Sequence, residues 1–196
     1  MRAIFKEKTM KEQNRLAVVI PGIGYTCDRS LLYFTGRLAE TKGYETVRIA
    51  FHDLPKGAKG NPEKMYECFL EAKKQLAKAL KETDWDRYRD VVFIAKSLGT
   101  AVAAAYAKEK NLPGRFVLLT PLKETFDFIE NGVPAVAFHG TADPWAQTDI
   151  LIQACGKRNI ALYITDGANH SLETGDPRTD IETLQQVIEA AEEFLA

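Results

Sequence analysis

Three residues of the chain have the side chains, and the placing along the sequence, of an acyl-transfer centre: Ser97, Asp143 and His170. A serine hydroxyl is a weak nucleophile. It becomes useful only when a base takes its proton and a third group orients that base. Ser97 stands at the apex of Val91-Val92-Phe93-Ile94-Ala95-Lys96-Ser97-Leu98-Gly99, an apolar strand run that turns directly into an alanine-rich helix. Ala95 and Gly99, both small, lie two positions to either side of it. A turn this sharp strains the serine backbone, and bulk at the flanks would collide with the neighbouring strand and helix. In return it exposes the hydroxyl and aims the Leu98 N–H at the same point from a helix N-terminus, where a developing oxyanion can be held. The plainer duty of a serine at such a place is to cap the helix.

The base and the acid follow in order. The apolar run 133–138 leads into His139-Gly140-Thr141-Ala142-Asp143-Pro144, which sets a carboxylate just past a strand end. The run 161–165 leads into Asp166-Gly167-Ala168-Asn169-His170-Ser171-Leu172, which sets a histidine on the next loop. Asp143 lies 46 residues after the serine and 27 before the histidine, room for a strand–helix step or two in each interval. Near the start, Pro21-Gly22-Ile23-Gly24-Tyr25-Thr26 follows the strand run 16–20. Its glycines let backbone approach a ligand closely. The N–H of Ile23, or alternatively of Gly24, is the expected second oxyanion donor, and Tyr25 the expected substrate-binding side chain.

These positions make sense only if the strands run parallel, because then their C-terminal ends share one edge of the sheet, where ligand crevices form. The pattern supports that. Strand runs at 16–20, 46–51, 91–95, 116–120, 133–138 and 161–165 alternate with helical stretches, and several are continuous in Val, Ile, Leu and Phe, as strands covered on both faces are. Residues 1–8 are a further edge-strand candidate. Met65, Phe69, Ala72, Leu76 and Leu80 recur at helical spacing after Asn61-Pro62. Thr179-Asp180-Ile181-Glu182 reads as a capping box opening the last helix, with an apolar stripe of Ile181, Leu184, Val187, Ile188, Ala191, Phe194 and Leu195. The alanines between 101 and 107 make the helix after Ser97 small-sided, able to pack close against the sheet. The expected fold is a single α/β domain over 1–196, a mostly parallel sheet with helices on both faces.

The remaining candidates read as structural. Asp166 is the rival acid, but its place before Gly167 marks a turn. His139 reads as a turn residue, Lys96 as a solvent-reaching side chain with no role, and His52 as part of a solvated loop, with pocket lining the alternative for His52 and for Cys27. Cys27 adjoins the first glycine loop without a partner that would make it a nucleophile.

Composition narrows the function classes. The 196 residues carry 26 Lys and Arg against 27 Asp and Glu, a net charge of −1, which argues against nucleic acid or an acidic membrane surface as partner. No run approaches a membrane span, and the first eight residues lack the apolar stretch of a secretory signal. Three cysteines without metal-type spacing fit a reduced, cytoplasmic setting and neither a disulfide framework nor a zinc site. The oligomeric state is not readable.

The segments 21–25, 95–99, 139–144 and 167–172, with the chain order serine, aspartate, histidine, resemble the α/β-hydrolase superfamily. The likeness spans most of the chain and is nearest to the small dienelactone-hydrolase-like and lidless esterase members. It implies the triad Ser97, Asp143 and His170, oxyanion donors at Leu98 and in the Ile23 loop, and no metal or organic cofactor. The chain departs from the family pattern in having Pro21-Gly22 where many members have His-Gly, Ala95 and Lys96 before the serine, and serine where dienelactone hydrolase has cysteine. Only 122–132 separate the strand runs on either side of the place where a cap is usually inserted. An open site is therefore expected, with little apolar surface and a preference for short acyl groups. The expected function is hydrolysis of an ester or thioester of a small soluble substrate. The rivals are amide hydrolysis or acyl transfer on the same residues, and a non-catalytic binding module.

Overall fold

The computed structural model describes residues 14–58 and 60–196. The strand expected over 1–8 lies outside the described residues. Six strands form one parallel sheet: β1 (Arg15–Ile20), β2 (Tyr44–Arg48), β3 (Asp90–Lys96), β4 (Arg115–Leu119), β5 (Ala135–Gly140) and β6 (Ala161–Thr165), in the order β2-β1-β3-β4-β5-β6. Among the described residues, four α-helices lie between strands, α1 (Ser30–Thr41), α2 (Pro62–Ala79), α3 (Leu98–Glu109) and α4 (Thr148–Gly156), and α5 (Pro177–Leu195) follows β6.

The chain winds outward from β1 to β2, then returns to β1's other side to lay down β3. At that reversal the loops leaving β1 and β3 part, which opens the crevice in which such sheets bind ligands. Strand alternation sends Val18, Ile20, Phe93, Ala95 and Leu118 to one face, with buried residues of α2, α3 and α4, and Ala17, Val19, Val92, Ile94 and Val117 to the other, with those of α1 and α5. Every residue of α3 from Leu98 to Ala107 is buried, which the alanines permit. A Cβ on Gly99 would stand 2.4 Å from the Pro21 carbonyl oxygen, so only glycine lets this helix start against the β1 loop.

Three boundaries differ from expectation. β2 is 44–48 rather than 46–51: Gly43, at φ 83°, turns the chain straight out of α1, and the last ladder bond runs from Ile49 N–H to the Val19 carbonyl. β5 is 135–140 rather than 133–138, because Pro134 has no N–H to give a ladder and instead accepts from Phe116. α5 begins at Pro177, with Asp176 accepting the Arg178 N–H at 3.1 Å, so the capping box at Thr179 is not used. The core face of α5 is Thr183, Val187, Ala190, Ala191 and Leu195, and Ile181 stands exposed.

Between β4 and β5 there is a 3₁₀ turn, Lys123–Asp127, and no cap domain. No described helix is long and apolar enough to cross a membrane.

Candidate active site

Ser97 sits between the last residue of β3 and the first of α3 at φ 54°, ψ −125°, a conformation that L-residues avoid and that costs about 1–3 kcal/mol. The packing around it enforces the turn. A Cβ on Gly22 would lie 2.9 Å from the Ser97 Cβ, so the β1 loop is pressed against the serine as well as against Gly99.

The Ser97 hydroxyl lies 2.7 Å from His170 Nε2, and His170 Nδ1 lies 2.6 Å from Asp143 Oδ2. The carboxylate accepts from Nδ1–H, which leaves Nε2 with its lone pair toward the serine proton. Asp143 is fully buried, its other oxygen accepting the Trp145 N–H at 2.8 Å, while the His170 ring is 19% exposed, open on the side a substrate must use. Gly140 makes the approach of these loops possible: a Cβ there would fall 2.2 Å from the Ala168 carbonyl oxygen, inside the loop that carries His170. Burial pushes the imidazole below its ordinary range, with the Lys96 charge acting the same way and the Asp143 hydrogen bond opposing both. Burial and the Lys96 charge both favour the unprotonated imidazole, the form able to accept a proton.

Asp166 makes no hydrogen bond to His170 among the described residues. It accepts from Thr141 Oγ1 at 2.8 Å in an exposed turn. Among the described residues, the Leu98 and Ile23 N–H groups donate to no protein acceptor, and Leu98 opens α3 beside the serine. Gly24, at φ 69°, completes the tight β1 loop.

Tyr25 is 4% exposed, its hydroxyl accepts the Leu31 N–H at 3.1 Å at the start of α1, and it lines the cavity along the Pro21–Asp28 loop. Two side chains, His139 and Lys96, are placed otherwise than the sequence suggests. His139 is no turn residue: it lies buried in β5, Nε2 2.9 Å from Thr148 Oγ1 and Nδ1 3.9 Å from Asp143 Oδ2. Lys96, expected to reach solvent, is buried and donates to the His170 carbonyl at 2.8 Å. Apolar surface is not scarce either. A groove of about 350 Å³ is lined by Met65, Tyr66 and Phe69 of α2 with Leu98, Leu122 and Phe128. The first turns of α2 and the 3₁₀ turn thus supply walls that a cap would otherwise give. A second cavity, about 550 Å³, runs along the Pro21–Asp28 loop to exposed His52, and Cys27 is buried beside it, its thiol on the Ile49 carbonyl.

Comparison with known proteins agrees with this architecture. An alpha-beta serine hydrolase homologue from Coxiella burnetii superposes with a TM-score of 0.66 at 16% identity, over 93% of this chain and 87% of that one. A putative hydrolase of the alpha/beta superfamily from Xanthomonas campestris pv. campestris gives 0.65 at 19%, over 93% and 98%. An esterase from Pyrococcus furiosus gives 0.61 at 13%, over 94% and 83%. Identities this low speak for the fold alone. No curated protein matches the sequence. The model of the alpha/beta hydrolase domain family, however, matches residues 14–196, from the first strand through the elbow to the last helix. With that match across the parallel sheet and the strained serine turn, the chain belongs to the alpha/beta hydrolase family.

Proposed function

We propose that the protein is a serine hydrolase that cleaves an ester or thioester bond of a small substrate. The observation that carries this reading is the unbroken line from Ser97 Oγ to His170 to buried Asp143, at 2.7 and 2.6 Å, with the serine held at a strained turn. Ser97 Oγ attacks the acyl carbon while its proton passes to His170 Nε2. The carbonyl oxygen takes the negative charge and is held by the Leu98 N–H and that of Ile23 or Gly24. His170 then returns the proton to the departing alcohol or thiol, leaving the acyl group on Ser97. Water attacks that ester, giving its proton to His170, which passes it to Ser97 Oγ as the bond to the acyl group breaks and the acid departs. Asp143 holds the imidazole tautomer and offsets the imidazolium charge. The groove beside Leu98 is short, so it suits a short acyl or small aryl group. The walls lining it make the preference for the shortest chains weaker than an open site would give.

The test is a panel of small esters and thioesters run against the wild type and Ser97→Ala. Turnover by the wild type and none by the variant supports the reading. Equal turnover by both refutes it.

A further inference from the structure

Lys96 is the charged group that this chemistry leaves unused. It ends β3 next to the nucleophile, and only 1% of it is exposed. Its ammonium donates to the His170 carbonyl at 2.8 Å and to Thr120 Oγ1 at 3.0 Å, and lies 4.6 Å from the centre of the Tyr25 ring. Two hydrogen bonds and an aromatic face thus surround a group with three donors. Taking an ammonium into so dry a place is unfavourable, and burial pushes Lys96 down to about 7 against the pull of Asp143. An apolar chain of the same length would fill the space without that penalty, so packing does not explain the lysine. Backbone strain gathers around it. Thr120 has φ 46°, Leu172, two residues beyond His170, φ 57°, and Ser97 itself φ 54°.

We propose that Lys96 is the positioning residue of the general base: its ammonium ties the His170 backbone carbonyl to the end of β3 and so fixes the imidazole against Ser97. This rests on the reading of His170 as base. The groups that face the pair are Asp143 from the loop after β5, His139 from β5, Arg29 ahead of α1, Glu173 after His170, and Tyr25 beneath the ammonium. Asp143 favours both cations, Glu173 favours that of Lys96, and Arg29 opposes it. Lys96 is the group that pushes His170 toward the neutral form by charge.

The chain has three histidines, at 52, 139 and 170, so their imidazole signals can be assigned by single His→Gln variants. The experiment titrates His170 by NMR in the wild type, Lys96→Met and Lys96→Gln, and measures kcat and KM for each across pH. Both variants lose the charge, so His170 should titrate at higher pH in both, and the acid limb of kcat should move up with it. Lys96→Met also loses the tie, and its kcat should fall about ten- to hundredfold with KM little changed. Lys96→Gln can still donate to the His170 carbonyl and should lose less. Unchanged His170 titration in both variants, or wild-type kcat in Lys96→Met, overturns the proposal. Should neither variant fold, the wild-type Lys96 Cε signal decides. Titration well below the ordinary lysine range supports the buried tie, and titration within it places the ammonium in water and overturns it. If Ser97→Ala keeps its turnover, the serine-hydrolase reading fails, while the NMR titration still shows whether Lys96 acts on His170.

Discussion

At the N-terminal ends of the strands, Asp90 accepts from the Tyr44 hydroxyl and the Arg115 guanidinium, with Arg15 3.6 Å away. The Arg15, Asp90 and Arg115 side chains are 21–26% exposed while Tyr44 is buried, and Arg115 also reaches the Phe194 carbonyl at the end of α5 at 2.8 Å. The cluster fastens β1, β2, β3, β4 and the last helix together. At the C-terminal ends, Asp143 is fully buried and is approached by His170 and His139, with Lys96 also buried nearby. Ser97, Thr120 and Leu172 are strained there. One edge uses charge to hold strands together with water close by. The other keeps charge dry and strained, which lowers stability and raises reactivity.

The sharpest way to test that contrast is to exchange the outcomes. Ser97→Ala and His170→Ala should each lower kcat by about 10⁴- to 10⁶-fold, the double variant being hardly worse, because these residues act as one unit. Asp143→Asn should be damaging but milder, and Asp166→Asn should leave kcat near wild type. Ser97→Gly should lose activity and gain about 1 kcal/mol in stability, since glycine tolerates the turn that strains serine. Chemical denaturation beside steady-state kinetics reads both. An Asp166→Asn variant as poor as Asp143→Asn would undo the choice of acid.

A change of shape at the reactive edge should come next. Gly99→Ala and Gly140→Ala push a methyl to 2.4 and 2.2 Å from carbonyl oxygens of the β1 and His170 loops. Each should cost about 2–4 kcal/mol and reduce activity with it, measured by urea unfolding and ester turnover. At the opposite edge, Asp90→Ala should cost about 1–2 kcal/mol and leave kcat unchanged in the folded fraction. If it lowers kcat, the two edges are coupled and the contrast fails.

The smallest effect is on stability against pH. Burial holds His139 and His170 below their ordinary 6.5, so beneath that pH the unfolded chain binds protons that the folded chain refuses. Stability should therefore fall as pH falls through the window from 6.5 down to their folded values. Lys96, lowered from 10.5 to about 7, should act the same way over that higher interval, so stability from this group rises with pH above neutrality. Lys96→Met should flatten the upper part of a Tm–pH curve. A curve unchanged by the substitution would contradict the buried charge.

Ser97, Asp143 and His170 stood out in the sequence because they follow strand ends that a parallel sheet gathers on one edge, and the structure brings the three within hydrogen-bond reach; glycines such as Gly99 and Gly140 are needed where the loops crowd. The parallel sheet was legible from continuous apolar runs. Lys96 was not, since a lysine at a strand's last position looks solvated until the loops that fold over it are known. His139 was missed for the same reason. α1 gives a weak stripe because Thr35 and Gly36 share its buried face with Leu31, Leu32 and Ala39, and α4 has only nine residues. The start of α5 was misjudged by three residues because two capping signals compete there, and Pro177 decides for the earlier.

The most direct measurement is labelling with a fluorophosphonate, followed by intact and peptide mass. A serine made nucleophilic by His170 should take one adduct, on Ser97, with none in Ser97→Ala and much slower labelling in His170→Ala. A wild-type chain that is folded yet unlabelled, or a Ser97→Ala variant labelled as fast as the wild type, would contradict the account.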